Sequence, residues 1–208
     1  PAARARGILA RIRSLIQANA LSSELQDRSS WLLGRIELKI GNIERAITIL
    51  EPLADANPLY RQRVDRALVD GLAKQWERIE QQFDPARETH ARVSAMILEI
   101  SQRLLGAEDA LPDAASGLQA TAFVRLLAGR VLFTIAQLPE STDSDTREAI
   151  RMLEPLLQRG IQNRTALERL AVLYADNNQP QQALECYRLL LGGVQAGSDD
   201  WFRLKAGQ

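Results

Sequence analysis

The sequence predicts an all-α fold, a solenoid of antiparallel helical hairpins. Three observations lead there. Apolar residues recur with a period near 3.6 through almost the whole chain. The abundant residues Leu, Ala, Arg, Glu and Gln are helix formers, whereas aromatics make up only 5% and no β-branched, aromatic-rich runs occur. Finally, the stretch AITILEPL at 46–53 returns as AIRMLEPL at 149–156.

The elements follow in order. A first helix is expected over 3–19, where Arg4, Arg6, Arg11 and Arg13 sit among Ile8, Leu9, Ile12, Leu15 and Ile16. That spacing reads as a solvated face rather than a binding patch. Further helices are expected over 23–40, 43–56, 59–83, 86–105, 118–138, 145–159, 164–177 and 180–192, and another opens at 199. Gly41-Asn42 ends one helix and caps the next. Asp84-Pro85 reads as an N-cap followed by proline at the first helical position. GAEDALPDAASG at 106–117 is a loop. STDSDT at 141–146 reads as a solvated, mobile connection, with Ser144 or Asp145 capping the next helix. Asn178 and Gln179 precede Pro180 at a further helix start.

Pro52 and Pro155 stand deep inside two of these helices. Each lacks the N–H that would bond the carbonyl of Thr48 or Arg151. An orphaned carbonyl is costly when buried, so residues 48 and 151 are expected to face solvent, with a local bend.

With 208 residues, 46% hydrophobic and 25% charged, the chain can build one or two domains or one extended array. Lys plus Arg and Asp plus Glu number 26 each, so the net charge is zero and a nucleic-acid partner is not expected. No run of 18 apolar residues occurs, so no membrane insertion is expected. A soluble, cytoplasmic or periplasmic protein is the expectation. The lack of an initiator Met before Pro1 suggests a piece of a larger protein. Cys186 is the only cysteine, which rules out an internal disulfide.

Short connections between helices favour hairpins, and internal repetition separates a solenoid from a closed bundle. With Ala46 as anchor, Leu33-Gly34 lies 12–13 residues before, Leu50 four after and Leu53 seven after. With Ala183 as anchor, Leu170-Ala171 lies 12–13 before, Tyr187 four after and Leu190 seven after. Ala149 supplies a third anchor, with Leu153 and Leu156 following, and stands 34 residues before Ala183.

These residues resemble the tetratricopeptide repeat (TPR) family, whose unit is 34 residues with the pattern W-x2-L-G-x2-Y…A-x3-F…P. Two residues not used in the alignment also match: Trp201 with Leu204, and Leu167 with Leu170-Ala171, stand where the next unit's Trp and Leu-Gly fall. Departures are Ser30 in the Trp slot beside Trp31, Glu37 in the Tyr slot, and about eight extra residues before Ala149, in the loop 139–145. The resemblance implies a right-handed superhelical solenoid. One array over 1–208 is expected, with clear repeats at about 27–60, 146–163 (partnered by 118–138) and 164–197. An irregular long hairpin is expected over 59–105, one helix carrying Val64, Leu68, Leu72, Trp76, Ile79 and Phe83 and the other Val93, Ile97, Ile100 and Leu104. A truncated repeat fills 198–208.

Catalytic chemistry finds no foothold, and the chain is not expected to be an enzyme. His90 is the only histidine and has no Cys or His at ligand spacing, so it is read as solvent-facing or as a local hydrogen-bond partner. Cys186 reads as a small packed hydrophobe. No glycine-rich phosphate motif occurs, and no cofactor or metal is expected. Trp31, Trp76 and Trp201 read as packing residues between hairpins.

The resemblance implies a protein or peptide partner held on the concave face. Candidate contacts are Arg28, Trp31, Arg35, Leu38 and Lys39 on one first helix, and Glu168, Val172 and Asp176 on a later one. The Lys and Asn clamp by which some members of the family grip acidic C-termini is replaced by Trp31 and Arg35. The alternatives are a structural spacer, or a self-association module stacking through exposed repeat ends, or an accessory domain of an enzyme outside this chain.

Overall fold

The structure, a computed structural model, describes residues 23–108, 115–161 and 163–206, together with Gly7, Ile8, Arg11 and Ser14. Those four are helical, but most of the helix expected over 3–19 lies outside the described residues, as do residues 109–114 of the expected loop.

Among the described residues the chain is helical, without strands. The elements are α1 (Ser23–Lys39), α2 (Ile43–Ala56), α3 (Pro58–Ile79), a 3-10 turn (Glu80–Gln82), α4 (Glu88–Glu108), α5 (Ala115–Ala136), α6 (Asp143–Gln158), α7 (Arg164–Asp176), α8 (Pro180–Gly192) and α9 (Asp199–Ala206). No helix among the described residues is long and apolar enough to cross a membrane. The chain divides into two compact units at Arg78 and Ile79, so α3 belongs to the first and α4 to the second.

Local chemistry explains the boundaries. Gly41, Gly160 and Asn178 all have positive φ and end α1, α6 and α7. In each case the next residue donates its N–H across the turn: Asn42 to the carbonyl of Glu37 (2.9 Å), Ile161 to Leu156 (2.9 Å) and Gln179 to Tyr174 (2.7 Å). This is the six-to-one bond of a Schellman ending, which needs a left-handed residue before it. The starts expected at 86, 118 and 145 fall at Glu88, Ala115 and Asp143, and the loop expected over 106–117 is helical at 106–108 and 115–117. The cap of α6 is Thr142, not Ser144 or Asp145: the Asp145 carboxylate accepts from the Thr142 N–H (2.7 Å) and hydroxyl (2.8 Å). That reciprocal box draws residues 143–146 of the expected mobile loop into the helix. Asp84 caps a turn, accepting from the Ala86 N–H at 2.9 Å, and α4 opens only at Glu88.

In the first unit α1 and α2 pair as a hairpin. They cross where Gly34 meets Leu50: a Cβ on Gly34 would lie 2.3 Å from Leu50 Cγ. Buried Ala46 and Leu53 extend that seam. Helix α3 returns alongside both. Tyr60 lies 6.1 Å from the Trp31 ring, Asn57 donates to Asp27 at 3.0 Å, and Arg61 pairs with Glu51 (2.7 Å) and Asp55 of α2. Val64, Leu68, Leu72 and Trp76 are fully buried along α3.

In the second unit each of α4 to α9 packs on the next. The α5–α6 crossing repeats the α1–α2 one: a Cβ on Gly129 would lie 2.2 Å from Leu153 Cδ2. Gly34 stands 12 residues before Ala46, and Gly129 stands 20 before Ala149. The additional residues are therefore spread over the end of α5, the connection and the start of α6, not confined to the loop. Ile97, Ile100 and Leu104 are buried along α4, while Ile79, Phe83 and Val93 are only half-buried.

Both internal prolines sit in unbroken helices. Thr48 and Arg151, whose carbonyls lose their donor, are exposed as expected.

Candidate interaction surface

The five candidates on α1 fall into three situations. Arg28 is exposed, two turns from Arg35, and is not among the residues lining the cleft described next. Trp31 is half-buried, with Tyr60 on one side and the Arg35 guanidinium 5.7 Å from its ring centroid. Arg35, Leu38 and Lys39 line a cleft of about 130 Å³ together with Ala67, Asp70, Gly71 and Lys74 of α3. Drug-sized sites are several hundred Å³ (about 300 or more), so this cleft is small beside them.

Helix geometry builds the cleft. Residues 35, 38 and 39 share one stripe of α1, and 67, 70, 71 and 74 share one stripe of α3. Gly71 brings the stripes together: a Cβ there would lie 2.8 Å from Leu38 Cδ2 and 3.8 Å from Ile43 Cδ1. Arg35, Lys39, Asp70 and Lys74 are all exposed. None of the three cations makes an ion pair with a described residue; the contact of Arg35 is the Trp31 ring.

The three candidates on α7 sit differently. Glu168 accepts from Arg164 (3.0 Å) and lies 3.5 Å from Arg203 of α9, while Arg164 also reaches Asp200 of α9 at 2.8 Å. Asp176 is exposed and accepts from Gln137 Nε2 at 3.3 Å. Val172 is half-buried. Glu168 and Asp176 are thus held by partners inside their own unit.

Sequence reasoning missed two groups. Ala67, Asp70, Gly71 and Lys74 had a signal, since a glycine inside a helix marks close approach. The second group had none. Glu80, in the 3-10 turn, pairs with Arg130 of α5 and with Arg169 of α7 at 2.7 Å. The Arg169 guanidinium also lies 5.2 Å from the Phe133 centroid. Burial alone would raise the Glu80 pKa, but hydrogen bonds and charge from Arg130 and Arg169 outweigh it and hold the carboxyl below its ordinary range.

No protein-family model matches the chain, and no curated protein or solved structure matches it.

His90, Cys186 and the tryptophans make local contacts. His90 is buried, not solvent-facing; its Nδ1 accepts from the Asp84 N–H at 3.1 Å and its ring stacks on Phe83 at 6.1 Å. It closes the turn before α4. Cys186 is a buried free thiol, pushed up to about 11 by burial first and by the Glu185 charge second. Trp76 is fully buried, while Trp201 is half-buried beneath Lys205 and edge-on to Phe202. No group of three or more His, Cys, Asp or Glu able to hold a metal occurs among the described residues.

Proposed function

We propose that this chain is a protein-interaction module of tetratricopeptide-like hairpins that takes a peptide or protein partner along α1 and α3. One observation carries the reading. Arg35, Lys39 and Lys74 stand around an open cleft with no ion-pair partner among the described residues. Arg61, Arg130 and Arg164, by contrast, pair with carboxylates. The repeated crossing of Gly34 with Leu50 and Gly129 with Leu153 supports the array. On this reading the hairpins stack as a right-handed superhelical solenoid. Helices α1 and α3 are then the first helices of successive units and line its concave side.

The test is selection of a random peptide library on the immobilised full chain, followed by titration of selected peptides into Arg35→Glu/Lys39→Glu. Loss of about tenfold or more in affinity, with unchanged circular dichroism, is expected. Equal binding to the variant, or no selected peptide, rejects the groove.

A second reading, self-association, has one observation in its favour: Phe202 on α9 is 60% exposed beside half-buried Trp201. Light scattering over a concentration range decides it, with a strict monomer at high concentration as the contrary result.

A further inference from the structure

In the second unit, away from the α1–α3 surface, two arginines converge on an anion that the chain itself supplies. Glu80 Oε1 accepts from Arg169 Nη2 at 2.7 Å and from Arg130 Nε at 3.3 Å, and Oε2 accepts from Arg130 Nη2. The guanidiniums come from different helices, α7 and α5, and Glu80 comes from the 3-10 turn. All three side chains are largely buried, at 16% exposure for Glu80 and Arg169 and 21% for Arg130. The match is nevertheless incomplete. Two cations share one carboxylate, so the cluster keeps a surplus positive charge. Arg169 Nη1 is buried and has no hydrogen-bond partner among the described residues, while both Glu80 oxygens already accept. Such an unmatched donor costs free energy that a further acceptor would recover. Glu168 also attracts Arg169, but it is shared with Arg164 and Arg203.

We propose that Arg130 and Arg169 form a binding site for a phosphate group, that Glu80 holds this site closed, and that an incoming phosphate displaces the carboxylate and frees the 3-10 turn. Charge and acceptor count select phosphate. It carries about 1.5 to 2 negative charges against one for a carboxylate, so it neutralises both arginines. It also brings three acceptor oxygens. Two can take the bonds that Glu80 now takes, and the third can accept from Arg169 Nη1. The planar guanidinium fork suits that arrangement. A nucleic acid needs a track of phosphate contacts, and two arginines around one carboxylate do not make one.

Glu80 then acts as a tethered competitor, whose effective concentration for a short tether is in the millimolar range. Its turn is three residues long, and the other two, Gln81 and Gln82, are exposed. Segments with few buried contacts open at lower cost than helix cores. Phosphate binding and release of the turn are therefore one coupled equilibrium.

The experiment is a calorimetric titration of inorganic phosphate into the full chain at fixed ionic strength. Wild type, Glu80→Ala and Glu80→Ala/Arg169→Gln are compared. Glu80→Ala should bind about tenfold tighter than wild type or better, because the tethered competitor is gone, and the double variant should lose that gain. If Glu80→Ala does not fold, Glu80→Gln, which keeps the shape and removes the charge, is held to the same comparison. In wild type, hydrogen exchange at residues 79–83 should quicken as phosphate is added. Acetate should bind Glu80→Ala more weakly than phosphate does. A phosphoserine peptide, run beside its serine form, separates two sources. Tighter binding than inorganic phosphate assigns the site to a phosphate carried by a partner, and weaker binding assigns it to a free phosphate. The proposal is overturned by any of four results: Glu80 variants bind phosphate no tighter than wild type, Arg169→Gln keeps the binding, acetate equals phosphate, or wild type at tens of millimolar phosphate shows neither binding nor faster exchange at 79–83. Binding without faster exchange there also overturns it, because Glu80 has then not been displaced.

Discussion

Leu50 occupies the space that a side chain on Gly34 would need: a Cβ there would lie 2.3 Å from Leu50 Cγ and 2.4 Å from Cδ2. Leu153 does the same to Gly129. The obstacle is the branch point of a buried leucine, which cannot swing away as a chain end can. Gly34→Ala and Gly129→Ala should each cost about 1–3 kcal/mol, the usual range for overpacking, despite the backbone-entropy gain of alanine. At Gly71 the nearest atom is the flexible end of half-buried Leu38, so Gly71→Ala should cost less. Gly106, inside α4 with nothing within 4 Å, reverses the sign: Gly106→Ala should stabilise by about 0.5–1 kcal/mol. Urea unfolding of the four variants checks the order, and a stabilising Gly34→Ala would disprove the crossing.

Pro52 and Pro155 interrupt the hydrogen-bond ladder of α2 and α6. The residues whose carbonyls lose a donor, Thr48 and Arg151, can bond water instead. Replacement by alanine restores the bond and removes the ring clash, so Pro52→Ala should raise stability by about 1–3 kcal/mol. The same change at half-buried Pro155 should gain less, because it also removes ring contacts. Thermal unfolding reads the effect. A fall in Tm for Pro52→Ala would mean that the proline is needed for packing.

Much of this architecture was legible because local chemistry decided it. The apolar period, Gly41, and Asn178 before Pro180 place helices and their ends using residues a few positions apart. The α1–α2 crossing was legible too, since Leu33-Gly34, Ala46 and Leu50 lie on one hairpin. Gly129 escaped because α5 and α6 lengthen its spacing to Ala149. The starts of α6, capped by Thr142, and of α4, at Glu88, shifted where side chains compete for backbone N–H groups, and α5 opens three residues early, at Ala115. Half of the cleft was readable on α1, but which stripe of α3 faced it depended on the approach at Gly71. The Glu80 cluster joins residues 50 and 89 positions apart, beyond any local pattern.

The Glu80 cluster makes stability depend on pH. The carboxyl's folded pKa lies below its unfolded value, so the ionised form is favoured by folding. Its contribution is complete above the unfolded value of about 4.3 and is lost as pH falls through the folded pKa. Glu80→Gln cannot ionise and leaves Arg130 and Arg169 without their carboxylate. At neutral pH the variant should be weaker by about 1–3 kcal/mol. The difference should shrink below about pH 4, as wild-type Glu80 protonates. Chemical unfolding of both proteins at several pH values checks this, and a constant difference would exclude ionisation as its source.

Cys186 offers a readout of the second unit. Its thiol lies in α8 with 2% exposure, and burial, helped by the Glu185 charge, pushes it up to about 11. Only the thiolate reacts, and near pH 8 the folded protein holds about one in a thousand as thiolate, against roughly a quarter at an ordinary value of about 8.5. Iodoacetamide should therefore label native protein at least about 100-fold more slowly than protein unfolded in urea. The linkage sign follows. The folded pKa is above the unfolded one, so the neutral thiol is favoured by folding. This contribution is present below about pH 8.5 and is lost as pH rises towards 11. Cys186→Ala forms a small cavity but carries no ionisable group, so its deficit against wild type should narrow as pH rises from about 8 to about 10. Native labelling at the unfolded rate would show that α8 does not enclose the thiol.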